Sequence, residues 1–181
     1  MRWGDVDGRT PFNSWRNRIE NFGVLVFQIT RVSDKEASGF AIAEDMLPVI
    51  AVNRKKVPLT RRTFTLIHEF AHLMLRISSV SDFEIEAARP PEDQRIEVFC
   101  NHVAAATLIP RDHLLGERVV VDRGEQSTAW TDGELSTLSK AYGVSREAIL
   151  RRLLTFRRTT EAFYRRKRGQ YLAEFAAQAE R

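Results

Sequence analysis

The sequence predicts an α+β fold with a small N-terminal β-sheet and a helical C-terminal portion. Short stretches rich in β-branched residues lie between residues 24 and 53. From residue 60 onwards the apolar residues recur with the period of a helix. No internal repeat and no linker rich in Gly, Pro or Ser interrupts the chain. The 181 residues are therefore expected to form one domain, or one domain with a small appendage.

Composition excludes several classes of protein. With 43% apolar and 29% charged residues, the chain is typical of a globular domain and not of a disordered or fibrous protein. The single Cys100 excludes a disulfide framework within the chain and favours a reducing compartment. The longest apolar runs are too short for a bilayer span, and the first twenty residues lack the apolar core of a secretory signal. We expect a soluble, cytoplasmic protein.

Charge is distributed unevenly along the chain. Residues 1–132 carry 17 basic and 19 acidic side chains, whereas residues 133–181 carry 11 and 5. We predict residues 1–132 as the core and residues 133–181 as a helical C-terminal segment of the same domain. The basic segment indicates either a nucleic-acid or acidic partner, or a solvated helical face, which is the commoner origin of such a pattern.

The N-terminal third predicts one helix and three strands. Pro11 to Phe22 is expected to be helical because Phe12, Trp15, Ile19 and Phe22 share one face, and Gly23 ends it. Strands are predicted at residues 24–32, 39–45 and 48–53.

The rest of the chain is predicted to be mainly helical. Pro91 can open the second long helix and Pro110 marks its end. Residues 78–90 and 124–133 are polar and predict loops, while residues 112–121 are ambiguous. The predicted helices are residues 60–77, 91–108, 134–142, 145–157 and 159–179.

The sequence His68-Glu69-Phe70-Ala71-His72 is an H-E-x-x-H motif within a predicted helix. Residues four apart lie one turn apart on the same helix face, so both imidazoles can bind one metal ion. Glu69 can then act on a water molecule instead of the metal. Chance placement of these residue types would give about 0.01 such motifs per chain of this composition. The motif therefore predicts a metallohydrolase site.

A catalytic zinc site needs a third protein ligand. Glu97 is the first candidate, and Asn101, one turn later, could orient a ligand. Ile96, Val98, Phe99 and the apolar residues after them predict that this helix is largely buried. His102 is the rival ligand, but it lies about 140° around the helix from Glu97, so the two cannot easily share one ion.

These residues resemble the ImmA/IrrE family of metallo-endopeptidases over most of the chain. The matching segments are VIAVN, RTFTLIHEFAHLML and EVFCNHVAAATLIP. The last segment departs from the family pattern at Cys100, Val103, Thr107 and Ile109, where the replacements stay small or apolar. The resemblance implies a zincin-like fold with a site similar to that of gluzincins.

By this resemblance His68, His72 and Glu97 would bind Zn²⁺ and Glu69 would be the catalytic base. Two histidines and a carboxylate also suit Mn²⁺ or Fe²⁺. The resemblance further implies cleavage of a helix-turn-helix repressor in stress response, mobile-element or toxin–antitoxin regulation. Because residues 1–30 are too short for a helix-turn-helix domain, the repressor would be a separate chain.

Three further expectations concern the surroundings of the site. The predicted strand at residues 48–53 could accept an extended peptide along its edge. The oxyanion of the reaction needs a donor, for which Arg111, His113, His102 and Tyr142 remain open candidates. Cys100, one turn after Glu97, is expected to be a small buried hydrophobic residue, and a redox-sensitive thiolate is the alternative.

The C-terminal segment suggests an alternative function. LSTLSKAYGVSREAILRRLL resembles a helix-turn-helix, with a turn at Gly143 and Ser145 as the N-cap of the second helix. The basic residues on and after that helix could contact DNA, with a metal site that is only structural or sensory. A third hypothesis is a metal-binding protein that binds a partner protein through its C-terminal helices. The same corner is also a common packing device in helical proteins.

Overall fold

In a computed structural model the described residues are 10–33, 37–55, 57–81 and 90–179. They confirm the predicted α+β class. The chain divides into two compact units, Met1–Leu108 and Ile109–Arg181. The predicted domain organisation, 1–132 and 133–181, stays a prediction. None of the helices in the described part combines the length and hydropathy that a bilayer span requires.

In its described residues the first unit contains three helices, α1 (Pro11–Glu20), α2 (Leu59–Met74) and α3 (Pro91–Leu108). Helix α1 begins after Thr10, whose hydroxyl accepts the N–H of Asn13 at 3.4 Å, and it buries Phe12 and Ile19. It ends earlier than predicted, so Phe22 is not on its apolar face. That side chain is 77% exposed and stacks on Phe70 with ring centroids 6.2 Å apart.

A four-stranded sheet lies beside these helices, with the order β1-β3-β2-β4. Strand β3 pairs in parallel with β1 and antiparallel with β2, and β4 pairs antiparallel with β2. Strand β4 corrects the prediction of a loop over residues 78–90, of which 82–89 lie outside the described residues. A strand of three residues is too short to produce a readable periodicity. The strands are β1 (Leu25–Ile29), β2 (Gly39–Ile42), β3 (Val49–Asn53) and β4 (Ser79–Ser81).

The expectation that residues 48–53 offer an edge to a peptide is wrong. Strand β3 lies between β1 and β2, so both of its edges are paired. Its residues Ile50, Ala51 and Val52 are almost fully buried, and a continuous apolar run of this kind is typical of a central strand. The free edges of the sheet belong to β1 and β4. Among the described residues β4 has no strand partner other than β2.

Asn53 at the end of β3 ties together the chain that leads from β1 to β2. Its amide nitrogen donates to the carbonyl oxygens of Val32, Ser33 and Ala37, at 3.1, 3.3 and 2.9 Å. Its amide oxygen accepts the N–H of Lys55 at 3.0 Å. The fully buried side chain thus satisfies carbonyl groups that no strand could pair.

The two faces of the sheet differ. Gly39, Ala41, Ser79 and Ser81 share the face that contacts α2, since Ala41 pairs with Ser79 and Gly39 with Ser81. The opposite face is apolar and partly exposed. Its side chains include Leu25, Phe27, Phe40, Ile42 and Val80.

The second unit is helical in its described residues, as predicted for the C-terminal portion. The ambiguous residues 112–121 fall in two short helices, α4 (Arg111–Gly116) and α5 (Arg118–Arg123). Three longer helices follow, α6 (Asp132–Tyr142), α7 (Arg146–Thr155) and α8 (Glu161–Ala179). Buried apolar side chains of these helices and of the preceding loop form the core of this unit: Leu114, Val120, Trp130, Leu135, Leu138, Ile149, Leu150, Leu153 and Phe163.

Candidate metal centre

Helix α2 places His68 and His72 on its buried face, together with Leu66, Ile67 and Ala71. The two imidazoles lie one turn apart, with ring centroids 4.9 Å apart and Nε2 atoms 3.1 Å apart. The apolar neighbours on this face fix the rotation of the helix, and that rotation directs both rings inward. Two ring nitrogens are therefore held close together in a nearly water-free environment.

Glu97 reaches the same point from α3. Its two carboxylate oxygens lie 3.3 Å from Nε2 of His68 and 3.2 Å from Nε2 of His72. One ligand atom from each of the three residues lies within 4.8 Å of the other two. The set contains two imidazoles and one carboxylate, which is a donor set of catalytic zinc sites.

Asn101 determines which nitrogen of His68 is available. Its Oδ1 lies 3.1 Å from Nδ1 of His68, and a carbonyl oxygen can only accept, so Nδ1 carries the proton. The lone pair of His68 Nε2 then points towards His72 and Glu97. With His68 in this tautomer, a lone pair faces the Glu97 carboxylate, which is unfavourable unless a cation lies between them, so the arrangement fits a divalent metal ion.

The carboxylate of Glu97 is ionised in this environment. Burial by itself would raise the pKa of Glu97, but the hydrogen bonds and charges that His68 and His72 supply when their rings are protonated outweigh it and hold the pKa far below its usual range. A divalent ion bound to the neutral rings would supply positive charge in their place. The ligand set therefore carries one negative charge that a divalent cation can neutralise.

Glu69 lies on the same turn of α2 as His68 and is fully buried. Its Oε2 accepts a hydrogen bond from the Ser79 hydroxyl at 2.7 Å, whereas Oε1 is buried with no partner among the described residues. Burial raises the pKa of Glu69, although His68 and the hydroxyls of Ser81 and Ser79 act in the opposite direction. A buried carboxylate with a raised pKa is suited to take up a proton.

The backbone of β2 passes close to this carboxylate at Gly39. A Cβ atom at that position would lie 3.3 Å from Oε1 of Glu69, 2.8 Å from the carbonyl oxygen of Ala51 and 2.7 Å from Cγ2 of Thr65. Residue 39 therefore has no room for a side chain unless the surroundings shift. The missing side chain provides the space that Glu69 occupies.

The other residues considered as oxyanion donors are in different places. His102 is exposed on α3 and lies outside the ligand cluster. Arg111 and His113 are exposed in the second unit, where Tyr142 is buried and donates to Glu117 at 3.4 Å. A role for any of them as an oxyanion donor stays a prediction.

Cys100 is fully buried on α3, in agreement with its expected role as a small apolar residue. Burial, followed by the negative charges of Glu97 and Glu69, raises the pKa of the thiol to about 12. At neutral pH the group is a thiol, which is far less reactive than a thiolate.

Helix α3 is less buried than its sequence predicts. Its buried stripe consists of Cys100, Ala104 and Leu108, spaced four residues apart. Val98 and Phe99 are 53% and 50% exposed, so the expectation that they mark a buried helix is wrong. Apolar residues on both sides of a helix cannot all face one neighbour, and only the stripe towards the interior is covered.

The comparison with protein families identifies the chain. Residues 19–154, three quarters of its length, match the peptidase M78 family, described as the IrrE N-terminal-like domain. The chain belongs to this family. Membership implies metallopeptidase activity, and the cluster of His68, His72 and Glu97 could hold the metal ion that this activity needs. No curated protein matches the chain.

The helix-turn-helix-like corner is also present. Gly143, with a φ of 65°, ends α6 and Ser145 caps α7. However, the arginines of α7 have partners within their own unit: Arg146 donates to Glu174 at 2.6 Å and Arg151 to Glu147 at 3.2 Å. These contacts are typical of a packed helix pair, and DNA binding stays a prediction.

The sequence did not predict that two residues, Ser79 and Gly39, lie next to the site. Ser79 lies in a stretch predicted as a loop, and Gly39 was considered only as the start of a strand. The alternation of Ser79, Val80 and Ser81 was the available signal, but three residues do not distinguish a strand from a polar loop.

Proposed function

We propose that this metallopeptidase is a zinc-dependent endopeptidase that cleaves a peptide bond in another cytoplasmic protein. The observation that carries the proposal is the convergence of His68, His72 and Glu97 next to the buried Glu69. The proposed substrate is a helix-turn-helix repressor on a separate chain, as the resemblance to the ImmA/IrrE family implies. The process would then be stress response, mobile-element regulation or toxin–antitoxin regulation.

In this proposal His68, His72 and Glu97 hold the ion, and Asn101 keeps His68 in the tautomer that binds it. A divalent ion at such a site polarises the scissile carbonyl and makes a water molecule more acidic. Zinc is the first expectation, and manganese and iron are compatible with the same ligands.

Glu69 is the proposed general base. Its Oε1, which lacks a partner among the described residues, can accept a proton from the attacking water. The hydroxide oxygen adds to the carbonyl carbon of the substrate. Glu69 then returns the proton to the nitrogen of the departing amine as the C–N bond breaks. The carboxylate is regenerated, and one water molecule is consumed per bond.

The substrate is proposed to bind as an extended segment along the free edge of β4. Ser79 on this strand contacts Glu69, so a peptide paired with β4 would pass next to the base. Exposed edges of this kind accept a further strand through main-chain hydrogen bonds. This position replaces the edge expected at residues 48–53.

Metal content tests the proposed ligands. Protein purified without a His tag should contain about one zinc ion per chain, as expected for a single catalytic site, and a His72→Ala variant should lose it. His102→Ala is the matched control, because His102 is an exposed histidine outside the cluster. Absence of bound metal in the wild type, even after zinc is added back, would contradict the proposal.

Peptide cleavage tests the proposed base. Wild-type protein loaded with zinc is incubated with a library of peptides from a digested bacterial proteome, and new termini are identified by mass spectrometry. A Glu69→Gln variant should retain the metal but lose cleavage by a factor of about 10² to 10⁴, the range for general acid–base catalysis. Equal cleavage by the two proteins would rule Glu69 out as the base.

A further inference from the structure

Strand β4 is held firmly although it is only three residues long. It pairs with Ala41 and Gly39 of β2. The carbonyl oxygen of Ser81 accepts two hydrogen bonds from Ser38, one from its backbone N–H at 2.8 Å and one from its side-chain hydroxyl at 3.1 Å. At the other end, the Ser78 hydroxyl accepts the N–H of Ala43 at 3.0 Å. Contacts at both ends therefore fix the position of the residues between them.

Ser79 uses this fixed position to hold Glu69. Its hydroxyl donates to Oε2 of Glu69 at 2.7 Å, whereas Oε1 has no hydrogen-bond partner among the described residues. Hydrogen bonds to an ionised carboxylate are stronger and more directional than neutral ones. A Cβ atom at residue 39 would lie 3.3 Å from Oε1, so Gly39 leaves room for that oxygen while Ser79 holds Oε2 in place.

We propose that Ser79 is a positioning residue, which aligns Glu69 for catalysis from the same strand that offers its edge to the substrate. The inference rests on the proposed function and deepens it. Oxygen Oε2 is occupied by Ser79, so Oε1 is left to handle the proton. Because the base and the peptide would both be aligned on β4, their relative position is set by one short element of backbone.

Removal of the Ser79 hydroxyl is expected to slow catalysis because proton transfer depends on the position of the Glu69 carboxylate. A glutamate side chain has three rotatable bonds, and a misplacement of about 1 Å at a catalytic group can lower the rate by about 10²-fold. Without the hydroxyl, the Glu69 carboxylate loses its donor and samples other rotamers. Binding of the substrate main chain to the edge of β4 does not involve this hydroxyl.

The kinetic test uses the zinc-loaded full chain and one internally quenched peptide, chosen from the library peptides that the wild type cleaves. Ser79→Ala should lower kcat at least about tenfold and leave KM within about twofold, since positioning affects the transition state. Ser79→Thr, which keeps the hydroxyl, should restore kcat to within about threefold. Ser136→Ala, on α6 in the second unit, is the matched serine-to-alanine control, and zinc content is measured for every variant.

A second measurement does not depend on activity. Urea unfolding of metal-free protein gives a double-mutant cycle of Ser79→Ala and Glu69→Ala. If the two side chains interact, Ser79→Ala should shift the unfolding equilibrium about tenfold in the wild-type background and less than about twofold in the Glu69→Ala background. Additive effects would show that the contact contributes nothing and would overturn the proposal.

The outcomes separate this inference from the proposed function. An unchanged kcat in Ser79→Ala, with cleavage by the wild type intact, overturns the positioning role alone. A rise in KM with an unchanged kcat would assign Ser79 to substrate binding and would also overturn it. A wild type that cleaves no peptide despite bound zinc overturns the proposed function, and the positioning role with it.

Discussion

The metal centre in the first unit and the Arg152 contact in the second use their buried polar side chains in opposite ways. At the metal centre, His72 Nδ1 and Glu69 Oε1 are buried and have no partner in the part of the chain that the structure describes, and two histidines face one carboxylate. In the second unit, Arg152 is buried and donates to the carbonyl oxygen of Ile109 through two nitrogens, at 3.0 and 3.3 Å. Polar groups that are buried but incompletely satisfied destabilise the fold and persist at functional sites, whereas satisfied ones stabilise it.

Two arginines of the basic C-terminal segment also have partners within the second unit. Arg146 and Arg151 lie over the rings of Tyr171 and Tyr164 and have carboxylate partners. Their charges contribute to packing between α7 and α8. The difference between the two sites predicts that substitutions around the metal centre change metal binding and catalysis, while substitutions at Arg152 change stability.

The largest expected effect away from the ligands themselves is at Asn101. An Asn101→Ala variant should bind zinc about 10 to 100 times more weakly, because the partner that fixes the His68 tautomer is lost. Competition with a chelator measures the affinity. Asn101→Asp keeps an oxygen acceptor at this position and should bind more tightly than the Ala variant. Equal affinity of the wild type and Asn101→Ala would show that Asn101 has no role in the site.

In the second unit the largest effect is expected at Arg152. Arg152→Met retains most of the side-chain volume but leaves the Ile109 carbonyl without its donor, so the free energy of unfolding should fall by about 1–3 kcal/mol. Arg165→Met is the control, since Arg165 is exposed and pairs with Glu161 one turn away. Urea unfolding measures both variants. A change of equal size in the two would mean that the buried contact contributes no more than a surface pair.

A smaller effect on the free energy of unfolding is expected at the start of α6, where Thr131 and Glu134 form a capping box. The Thr131 hydroxyl accepts the N–H of Glu134 at 3.2 Å, and Thr131→Ala should lower the free energy of unfolding by about 1 kcal/mol. Thr137→Ala, within the same helix, should change it by less than about 0.5 kcal/mol. A smaller loss for Thr131 than for Thr137 would contradict the importance of the cap.

The smallest expected effect is the contribution of Glu134 to the pH dependence of stability. Burial would raise the pKa of Glu134, but the N–H of Thr131 and the side chain of Arg123 outweigh it and lower the pKa. A group with a lowered pKa in the folded state stabilises the protein above its unfolded pKa, and this contribution is lost as pH falls through the folded pKa. Metal-free wild type should therefore be more stable than Glu134→Gln at pH 7, and the difference should shrink below about pH 4.5. A difference that is independent of pH would contradict this account.

The sequence by itself determined the fold class, the helix with His68 and His72, and Glu97 as a candidate third ligand. These features depend on local periodicity: residues four apart share a helix face, and apolar neighbours direct that face inward. The central position of β3, by contrast, could not be read from VIAVN, because pairing partners come from distant parts of the chain. The same applies to the exposure of Val98 and Phe99, which depends on what packs against α3.

Only the tertiary structure decided how the base is held. The contact between Ser79 and Glu69 joins two elements whose local patterns are unrelated, and the space at Gly39 depends on how closely β2 approaches α2. Hydrogen bonds and close approaches of this kind arise from packing between elements, which periodicity does not encode. The sequence therefore determined which residues are available for chemistry, and tertiary packing decided which neighbours hold them in place.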